Sequence, residues 1–369
     1  MGIPAVVQLH GATAIAAGTL VAVDGDSGEV TLEPDMALIE AQRERREALA
    51  AALAGVSGAG ATRDGHAVAL LANIGGVDDA EAAGALDLEG VGLFRTEFVY
   101  LSAQTMPTVE EQAEVYRRVL APFPGRRVVV RTLDAGADKP LAFANLGEEE
   151  NPALGRRGLR LCQAMPEVLD SQLEALAIAA RETGADVRVM APMVATADEA
   201  AWFAARVRAV GLPKAGVMIE VPAAALRSRH VLEDVDFGSL GTNDLAQYTM
   251  AADRMEGELS DLLDPWQPAV LDVVAAACEG GAVTGKPIGV CGVCGESAGD
   301  PYLALVLAGL GVSSLSMAPS KVPAVRLALS VHTLDECREL AGRARAARSA
   351  SEAREAVRAA ASAELTAIL

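Results

Sequence analysis

The chain has 369 residues, of which 51% are hydrophobic, and its formal net charge at pH 7 is −19. This length suits one large domain or two ordinary ones, and the apolar content is ample for a core. The negative charge works against binding a nucleic-acid backbone, which needs clustered Lys and Arg side chains. No apolar run is long enough to span a membrane, and the N-terminus lacks the layout of a signal peptide. We therefore expect a cytoplasmic protein whose partners are small molecules or other proteins.

The chain contains only five cysteines, an odd number that does not indicate a disulfide framework. Cys162, Cys278 and Cys337 lie in helix-like stretches and are expected to be small buried hydrophobes. Cys291 and Cys294 form a C-x-x-C pair. Because a second such pair is absent, we do not expect a structural zinc site.

The N-terminal part of the chain differs in pattern from the rest. Residues 1–34 are predicted to form short β segments, because apolar runs flank Asp24-Gly25 and Ser27-Gly28. Residues 35–64 are predicted to be a linker, mostly a helix over Ala37 to Ala54, where strong helix formers occur without Gly or Pro. The remaining residues, 65–369, are assigned to one domain that ends in a helical tail.

After Gly65 the sequence alternates between strand-like and helix-like stretches. The predicted strands are Ala67 to Ile74, Gly90 to Phe94, Arg127 to Leu133, Asp186 to Met193, Ala215 to Glu220, Phe237 to Leu240, Lys286 to Cys291 and Val312 to Met317. The helix-like stretches between them include Val109 to Leu120, Pro166 to Thr183, Ala197 to Val210, Ala223 to Leu232 and Gln267 to Glu279. Eight strands alternating with helices predict an α/β fold, a closed (β/α)₈ TIM barrel. An open doubly wound sheet is the alternative, but its G-x-G-x-x-G signature is missing after the first strand.

Two carboxylates follow neighbouring predicted strands, at the barrel end where active sites lie. The fifth strand delivers Glu220, and the sixth leads into Asn243-Asp244. Oxygen ligands placed in this way suit a Mg²⁺ ion that keeps several waters and also holds a phosphorylated substrate. A capping carboxylate and a turn Asn-Asp are the alternative interpretation of these residues taken alone.

Four arginines lie near predicted strand ends or in the loops that follow them: Arg95, Arg131, Arg157 and Arg254. A guanidinium group presents a planar fork of donors that matches phosphate and carboxylate oxygens. Neighbouring carboxylates would repel each other unless a divalent cation lay between them, and the arginines would then hold an anionic substrate. The set predicts a pocket for phosphate and carboxylate groups, although any one arginine could instead form a structural ion pair. A thiol at a strand end beside such an anion could donate a proton.

Six motifs, found in one order over most of residues 66–330, resemble the PEP-utilising enzymes, where PEP is phosphoenolpyruvate. The closest resemblance is to the enzyme I family of the bacterial sugar phosphotransferase system. The motifs are GVGLFRTEFVYL, VVRTLDAGADKP, ENPALGRRGLR, GVMIEVPAAA, SLGTNDLAQYTMAADR and CGESAGD.

The resemblance implies a role for each matching residue. It places the metal ligands at Glu220 and Asp244, and the proton-donating cysteine of the C-G-E motif at Cys294. An extra Cys-Gly-Val precedes Cys294 and departs from the family pattern. The implied substrate-binding residues are Arg95, Arg131, Asn243, Arg254, Arg157 and Lys139.

The resemblance also implies a reaction and partners. In this family PEP binds through Mg²⁺, a histidine on a swivelling domain attacks phosphorus, and protonation of the remaining enolate gives pyruvate. The G-G-x-x-S-H segment that carries this histidine does not occur in the chain. Residues 1–34 resemble the closing portion of the swivelling domain, and the domain that docks the carrier protein HPr is missing. Family members dimerise through this barrel, so the resemblance implies a homodimeric PEP-binding part, which we expect to meet HPr and the histidine only in a full-length enzyme.

Two other functions fit the same sequence. One is the homologous PEP-binding barrel of pyruvate phosphate dikinase or PEP synthase, although the RTEFVYL and GESAGD motifs favour enzyme I. The other is a non-catalytic PEP sensor or dimerisation scaffold, for which Cys294 would be dispensable.

Overall fold

A computed structural model of the chain describes residues 6, 9, 11–25, 28–100, 103–136, 141–143, 147, 149–291 and 296–368. These residues fall into two compact units. The smaller unit takes in the described residues of Met1–Val56 and Ala363–Leu369, and the larger unit comprises those of Ser57–Ser362. Within the described ranges, no helix combines the length and the apolar character needed to cross a membrane.

The smaller unit contains one hairpin and two helices of note. Strands β1 (Val21–Val23) and β2 (Val30–Leu32) pair antiparallel, as the turn residues predict. Helix α1 (Met36–Leu53) begins after Asp35, whose carboxylate accepts a hydrogen bond from the backbone N–H of Leu38 at 2.8 Å. The last helix of the chain, Ala363–Ile368, belongs to the same unit, and a 3₁₀ turn spans Ala12–Ala14.

The larger unit is a closed barrel of eight parallel strands, which confirms the predicted (β/α)₈ fold. Its strands are β3 (Ala69–Ile74), β4 (Gly90–Arg95), β5 (Arg127–Arg131), β6 (Asp186–Ala191), β7 (Ala215–Ile219), β8 (Phe237–Leu240), β9 (Ile288–Cys291) and β10 (Ser314–Met317). Neighbours in this order are hydrogen-bonded, and β10 closes the barrel on β3. Because helices cover the strands on the outside and side chains fill the inside, most strand residues are buried, and β7, β8 and β10 are buried along their whole length.

Helices surround the barrel. They are α2 (Val77–Gly84), α3 (Val109–Leu120), α4 (Leu159–Ala164), α5 (Pro166–Thr183), α6 (Ala197–Ala209), α7 (Pro222–Leu226), α8 (Ser228–Val231), α9 (Thr242–Met250), α10 (Pro268–Thr284), α11 (Glu296–Gly299), α12 (Pro301–Gly309), α13 (Val322–Ser330), α14 (Leu334–Ala346) and α15 (Ala350–Ala360), with α16 (Ala363–Ile368) in the smaller unit. Short 3₁₀ helices occupy Thr96–Val99, Pro152–Leu154, Gly257–Leu263 and Pro319–Lys321. Thr–Glu capping boxes begin α3, α6 and α14, and they fix where these helices start.

One predicted helix was wrong in extent. The stretch Ala223 to Leu232 forms two short helices, α7 and α8, which are separated at Arg227. The break turns the Ser228 hydroxyl toward α10, where it donates a hydrogen bond to the carbonyl of Ala276 at 3.2 Å. A contact with α10 accompanies this boundary, and local helix propensity does not indicate it.

An apolar layer fills the middle of the barrel. We call this layer the plug, and it consists of Leu93, Val129, Met190, Met218, Phe237 and Cys291. The ring of Phe237 occupies the space beside Gly216, where an added Cβ would lie 2.3 Å from a ring carbon. Because close packing leaves no continuous channel along the axis, the two mouths of the barrel are separate environments.

A buried glutamine joins the ends of β4 and β5 from outside the barrel. Gln172 on α5 donates hydrogen bonds to the hydroxyls of Thr96 and Tyr116, both at 3.0 Å, and accepts one from the N–H of Leu133 at 3.0 Å. Thr96 in turn donates to the carbonyl of Arg131 at 2.9 Å. The side chain thus fixes the two strand ends from which Arg95 and Arg131 project.

Replacing Gln172 tests its role in connecting the ends of β4 and β5. We expect Gln172→Leu to lower the free energy of unfolding by about 2–4 kcal/mol, because it leaves the Leu133 N–H buried without a partner and removes one hydrogen bond of the Tyr116 hydroxyl, which keeps its bond with Tyr100. Urea denaturation monitored by circular dichroism measures the change. Gln104→Leu is the matched control, since Gln104 is exposed. Equal unfolding midpoints for the two variants would contradict the role given to Gln172.

Candidate active site

Two buried carboxylates stand at the carboxyl ends of adjacent barrel strands. Glu220 directly follows β7, and Asp244 lies in the first turn of α9, just after β8; their exposed fractions are 0% and 1%. Glu220 Oε2 accepts a hydrogen bond from the N–H of Met193 at 2.9 Å. Glu220 Oε1 is buried and has no hydrogen-bond partner among the described residues. One carboxylate oxygen therefore faces the site without a protein donor.

The backbone around Glu220 is shaped to hold this carboxylate. Met193 adopts φ = 59°, a left-handed conformation that is uncommon for a residue other than glycine. This conformation accompanies the N–H contact with Glu220. Gly241 is needed for space, because an added Cβ would lie 2.5 Å from Glu220 Oε1.

Arg157 joins two acidic residues inside the site. Its guanidinium group donates to both oxygens of Asp134, at 3.1 Å each, and to the two oxygens of Asp244, at 2.8 and 3.2 Å. Arg157 is 1% exposed. Burial acts to lower its pKa, but the two carboxylates outweigh burial and raise it. Arg157 is therefore a fixed cation that orients Asp244.

Arg131 occupies the end of β5 and is paired in a similar way. It forms buried ion pairs with Glu97 and with Asp134, the second at 3.2 Å. Burial acts to lower the pKa of Arg131, but Glu97, Asp134 and Glu220 together raise it. Removing one partner of such a buried ion pair leaves an uncompensated charge. The ion pairs therefore hold Arg131, Glu97 and Asp134 in place.

These contacts define a charge cluster of three guanidinium groups and four carboxylates: Arg131, Arg157, Arg254, Glu97, Asp134, Glu220 and Asp244. Glu220 has no arginine bonded to it among the described residues. Burial, followed by the charges of Asp244 and Asp134, raises its pKa to about 8. A proton therefore occupies Glu220 at neutral pH unless a cation takes its place.

Three other predicted residues lie around the same mouth. Arg254 is partly exposed and donates to Asp244 Oδ2 at 3.2 Å, while its N–H donates to Gln247 at 3.0 Å. Asn243 precedes Asp244 in the first turn of α9 and is half-buried. Arg95 ends β4, stacks over the Phe98 ring at 5.9 Å, and has a buried Nε without a hydrogen-bond partner among the described residues.

The cysteines divide into described and undescribed positions. Cys294 lies outside the described residues, as does Lys139. Cys291 is the last residue of β9 and belongs to the plug, where its Sγ accepts a hydrogen bond from the Ser239 hydroxyl at 3.2 Å. Burial raises the pKa of Cys291 to about 11. Cys162, Cys278 and Cys337 are buried free thiols, as predicted.

The sequence did not single out Glu97, Asp134 or the Met193 N–H as members of the site. Sequence position could have identified the two acids, because Glu97 follows Arg95 by two residues and Asp134 follows Arg131 by three, and both arginines lie at strand ends. The Met193 contact had no such signal, because it depends on a backbone conformation.

The described side-chain atoms at this mouth that could bind a metal ion are carboxylate oxygens. Within the described ranges, no group of three or more His, Cys, Asp and Glu side chains is placed to hold a metal ion. Mg²⁺ commonly binds through one or two carboxylates, with waters and substrate phosphate completing its shell. Glu220 and Asp244 fit that ion, because Glu220 Oε1 lacks a hydrogen-bond donor among the described residues. The arginines around them fit an anionic ligand.

Residues 54–333 match a protein family described as PEP-utilising enzyme, PEP-binding domain. The chain is 54% identical to the phosphoenolpyruvate-protein phosphotransferase of Streptomyces coelicolor, covering 99% of this chain and 65% of that protein. The protein of the same name from Haloferax volcanii is 42% identical, with 88% of this chain and 59% of the relative covered. The multiphosphoryl transfer protein of Xanthomonas campestris is 38% identical over 96% of this chain and 43% of its own length. The chain thus spans less than two thirds of each of these relatives.

The titration of Glu220 gives a prediction for stability. The pKa of Glu220 is about 8 in the metal-free folded protein and 4.5 in a model peptide. Between these two pH values, the folded state therefore keeps a proton on Glu220 that the unfolded state has released. The stabilisation is fully present below the unfolded pKa and is lost as the pH rises through about 8. Glu220→Gln cannot titrate, so we expect wild type to lose stability relative to this variant, by up to about 1.4 kcal/mol per pH unit in that window.

Urea denaturation with a chelator present, from about pH 5.5 to about pH 8.5, measures this difference. Glu174→Gln is the control, since Glu174 is exposed on α5. A stability difference between wild type and Glu220→Gln that stays constant over the range would contradict the raised pKa.

Proposed function

The chain belongs to the PEP-utilising enzymes, and on that premise we propose that its barrel binds PEP and Mg²⁺ for a PEP-protein phosphotransfer reaction. The observation that carries the proposal is the orphaned Glu220 oxygen beside Asp244, inside the charge cluster. This oxygen is buried at the mouth where barrel enzymes bind substrate. A divalent cation placed there would satisfy it and would replace the proton that Glu220 otherwise retains.

Glu220 and Asp244 are the proposed metal ligands. When bound, Mg²⁺ would orient the phosphate of PEP and stabilise negative charge on the transferred group and on the enolate. The role of Arg157 is to hold Asp244 in place, since both sides of its guanidinium group already contact carboxylates. It therefore acts on the substrate indirectly.

The anionic groups of PEP are assigned to the remaining arginines. Arg95, with an unpartnered Nε, and the partly exposed Arg254 have donors for phosphate or carboxylate oxygens. Arg131 presents a fixed positive charge from the barrel wall, because Glu97 and Asp134 prevent it from turning away. Asn243 and Lys139 complete the proposed substrate-binding set.

The enolate needs a proton, and the two candidate thiols differ in setting. Cys291 is packed in the plug, and its high pKa opposes release of a proton at neutral pH. We therefore assign proton donation to Cys294, which lies three residues further along the chain. Pyruvate is the resulting product.

The phosphoryl acceptor is proposed to be a histidine supplied from outside the barrel. These 369 residues contain no G-G-x-x-S-H segment, and the relatives named phosphoenolpyruvate-protein phosphotransferase are longer than this chain. Transfer to HPr, assembly as a homodimer and a cytoplasmic location belong to the same proposal.

Calorimetry tests the binding step. We expect PEP to bind in the presence of Mg²⁺, with Glu220→Gln weakening the affinity at least about tenfold because a charged metal ligand becomes a neutral amide. The amide oxygen can still accept the Met193 N–H, so the variant should fold. Glu174→Gln serves as the control. The proposal is wrong if PEP binding does not depend on Mg²⁺, or if Glu220→Gln binds as tightly as wild type.

Pyruvate formation tests the cysteine assignment. The chain is combined with the part of the Streptomyces coelicolor relative that it does not cover, and pyruvate released from PEP is measured. We expect Cys294→Ala to reduce the rate at least about 100-fold, as loss of a general acid does.

Cys291→Ala is the matched control, and it should lower the thermal midpoint while activity persists. Loss of activity in Cys291→Ala but not in Cys294→Ala would reverse the assignment. Retention in both would favour a role without proton donation by cysteine.

A further inference from the structure

The opposite mouth of the barrel, where the strands begin, also contains a cavity. It has a volume of about 30 Å³, is open to solvent, and is lined in part by Arg127, Arg188, Gly289 and Ser314. We call it the N-terminal cavity. These residues come from four strands, β5, β6, β9 and β10, and they belong to neither the charge cluster nor the plug.

The composition of this cavity departs from the usual barrel interior. Inward positions in such barrels are mostly bulky branched residues. Arg127 shares the inward side of β5 with Val129, because side chains two apart on a strand point the same way. Arg188 is related in the same way to Met190 of the plug, and Gly289 to Cys291. Positions that break a packing rule of their fold are where function is expected.

The two arginines of the cavity are not fully compensated by the protein. Arg188 donates to Asp186 Oδ2 at 3.0 and 2.6 Å. The Arg127 guanidinium has no hydrogen-bond partner among the described residues and lines the cavity. Burial, and then the charge of Arg188, lower the pKa of Arg127, whereas Glu89 and Asp186 offset only part of this effect.

The two nearby carboxylates, Glu89 and Asp186, are hydrogen-bonded to groups other than Arg127. Glu89 Oε2 accepts hydrogen bonds from the N–H groups of Gly60 and Leu70, at 3.0 and 2.8 Å. Asp186 is held by Arg188. An anion that enters the cavity can therefore contact Arg127 without displacing a protein partner, and it would relieve the repulsion between the two guanidinium groups.

The plug separates this cavity from the candidate active site. Strand β5 carries Arg127 at its beginning and Arg131 at its end, with Val129 of the plug between them. One strand thus directs an arginine into each mouth. A ligand at Arg127 would lie on the other side of a packed apolar layer from a ligand at Arg131.

We propose that the N-terminal cavity is a second anion site, which binds a small oxyanion such as inorganic phosphate or a dicarboxylate. Arg127 supplies the planar donor fork, Arg188 a second positive charge, and Ser314 a hydroxyl at the cavity wall. The site is independent of the proposed PEP reaction. In a chain of net charge −19, attraction of an anion requires a local feature of this kind.

Calorimetric titration of the chain with inorganic phosphate, and separately with malonate, tests the site. We expect a binding event that Arg127→Gln weakens at least about tenfold, which corresponds to loss of a charge-assisted hydrogen bond. Arg181→Gln, altered at an exposed position of α5 outside both mouths, should leave that event unchanged. Circular dichroism shows whether each variant is folded.

A second variant places a carboxylate where the anion would bind. Ser314→Asp should raise the thermal midpoint and remove the phosphate effect, because its side chain pairs with the arginines in place of the ion. Binding of either anion that is lost in Arg127→Gln and in Ser314→Asp supports the proposal. Absence of binding in wild type, loss of binding in Arg181→Gln instead, or unaltered binding in Ser314→Asp would overturn it.

Discussion

The structure of the candidate active site depends on the compensation of buried charge. Arg157, 1% exposed, holds Asp134 and Asp244 together, and Arg131 holds Glu97 and Asp134. Because an unpaired charge is costly to bury, each arginine is fixed by the acids around it, and each acid by the arginines. Four carboxylates against three guanidinium groups leave one negative charge in excess, and it falls on Glu220. Burial, and then the charges of Asp244 and Asp134, raise the pKa of Glu220.

The same imbalance connects the fold to the proposed chemistry. The buried Glu220 oxygen that lacks a donor among the described residues is the feature on which the proposed Mg²⁺ site depends. Gln172 and Thr96 support this arrangement from behind, since they fix the backbone at the ends of β4 and β5. Met193, in the bend after β6, supports it through its backbone N–H, which requires a left-handed backbone conformation.

Much of the fold and the family could be predicted from local patterns. All eight barrel strands occur where apolar runs predicted them, and the family resemblance drawn from the motifs is confirmed. The helix over Ala223 to Leu232 was predicted wrongly: it is divided at Arg227, next to Ser228, which contacts α10. The predicted residues Arg95, Arg131, Arg157, Glu220, Asn243, Asp244 and Arg254 all lie at the carboxyl-end mouth of the barrel. Their roles in binding remain predictions.

The sequence by itself determined the order of strands and helices, the motifs and the residue types at the strand ends, because periodicity and strand-end position are local properties. Only the tertiary structure decided which charges meet. Arg157 and Asp244 are 87 residues apart in the chain, yet their side chains are hydrogen-bonded. It also packed Cys291 into the plug beside the Ser239 hydroxyl, and it directed Arg127 and Arg131 into opposite ends of the barrel. Coulombic interaction depends on distance through space, and closure of the barrel sets that distance.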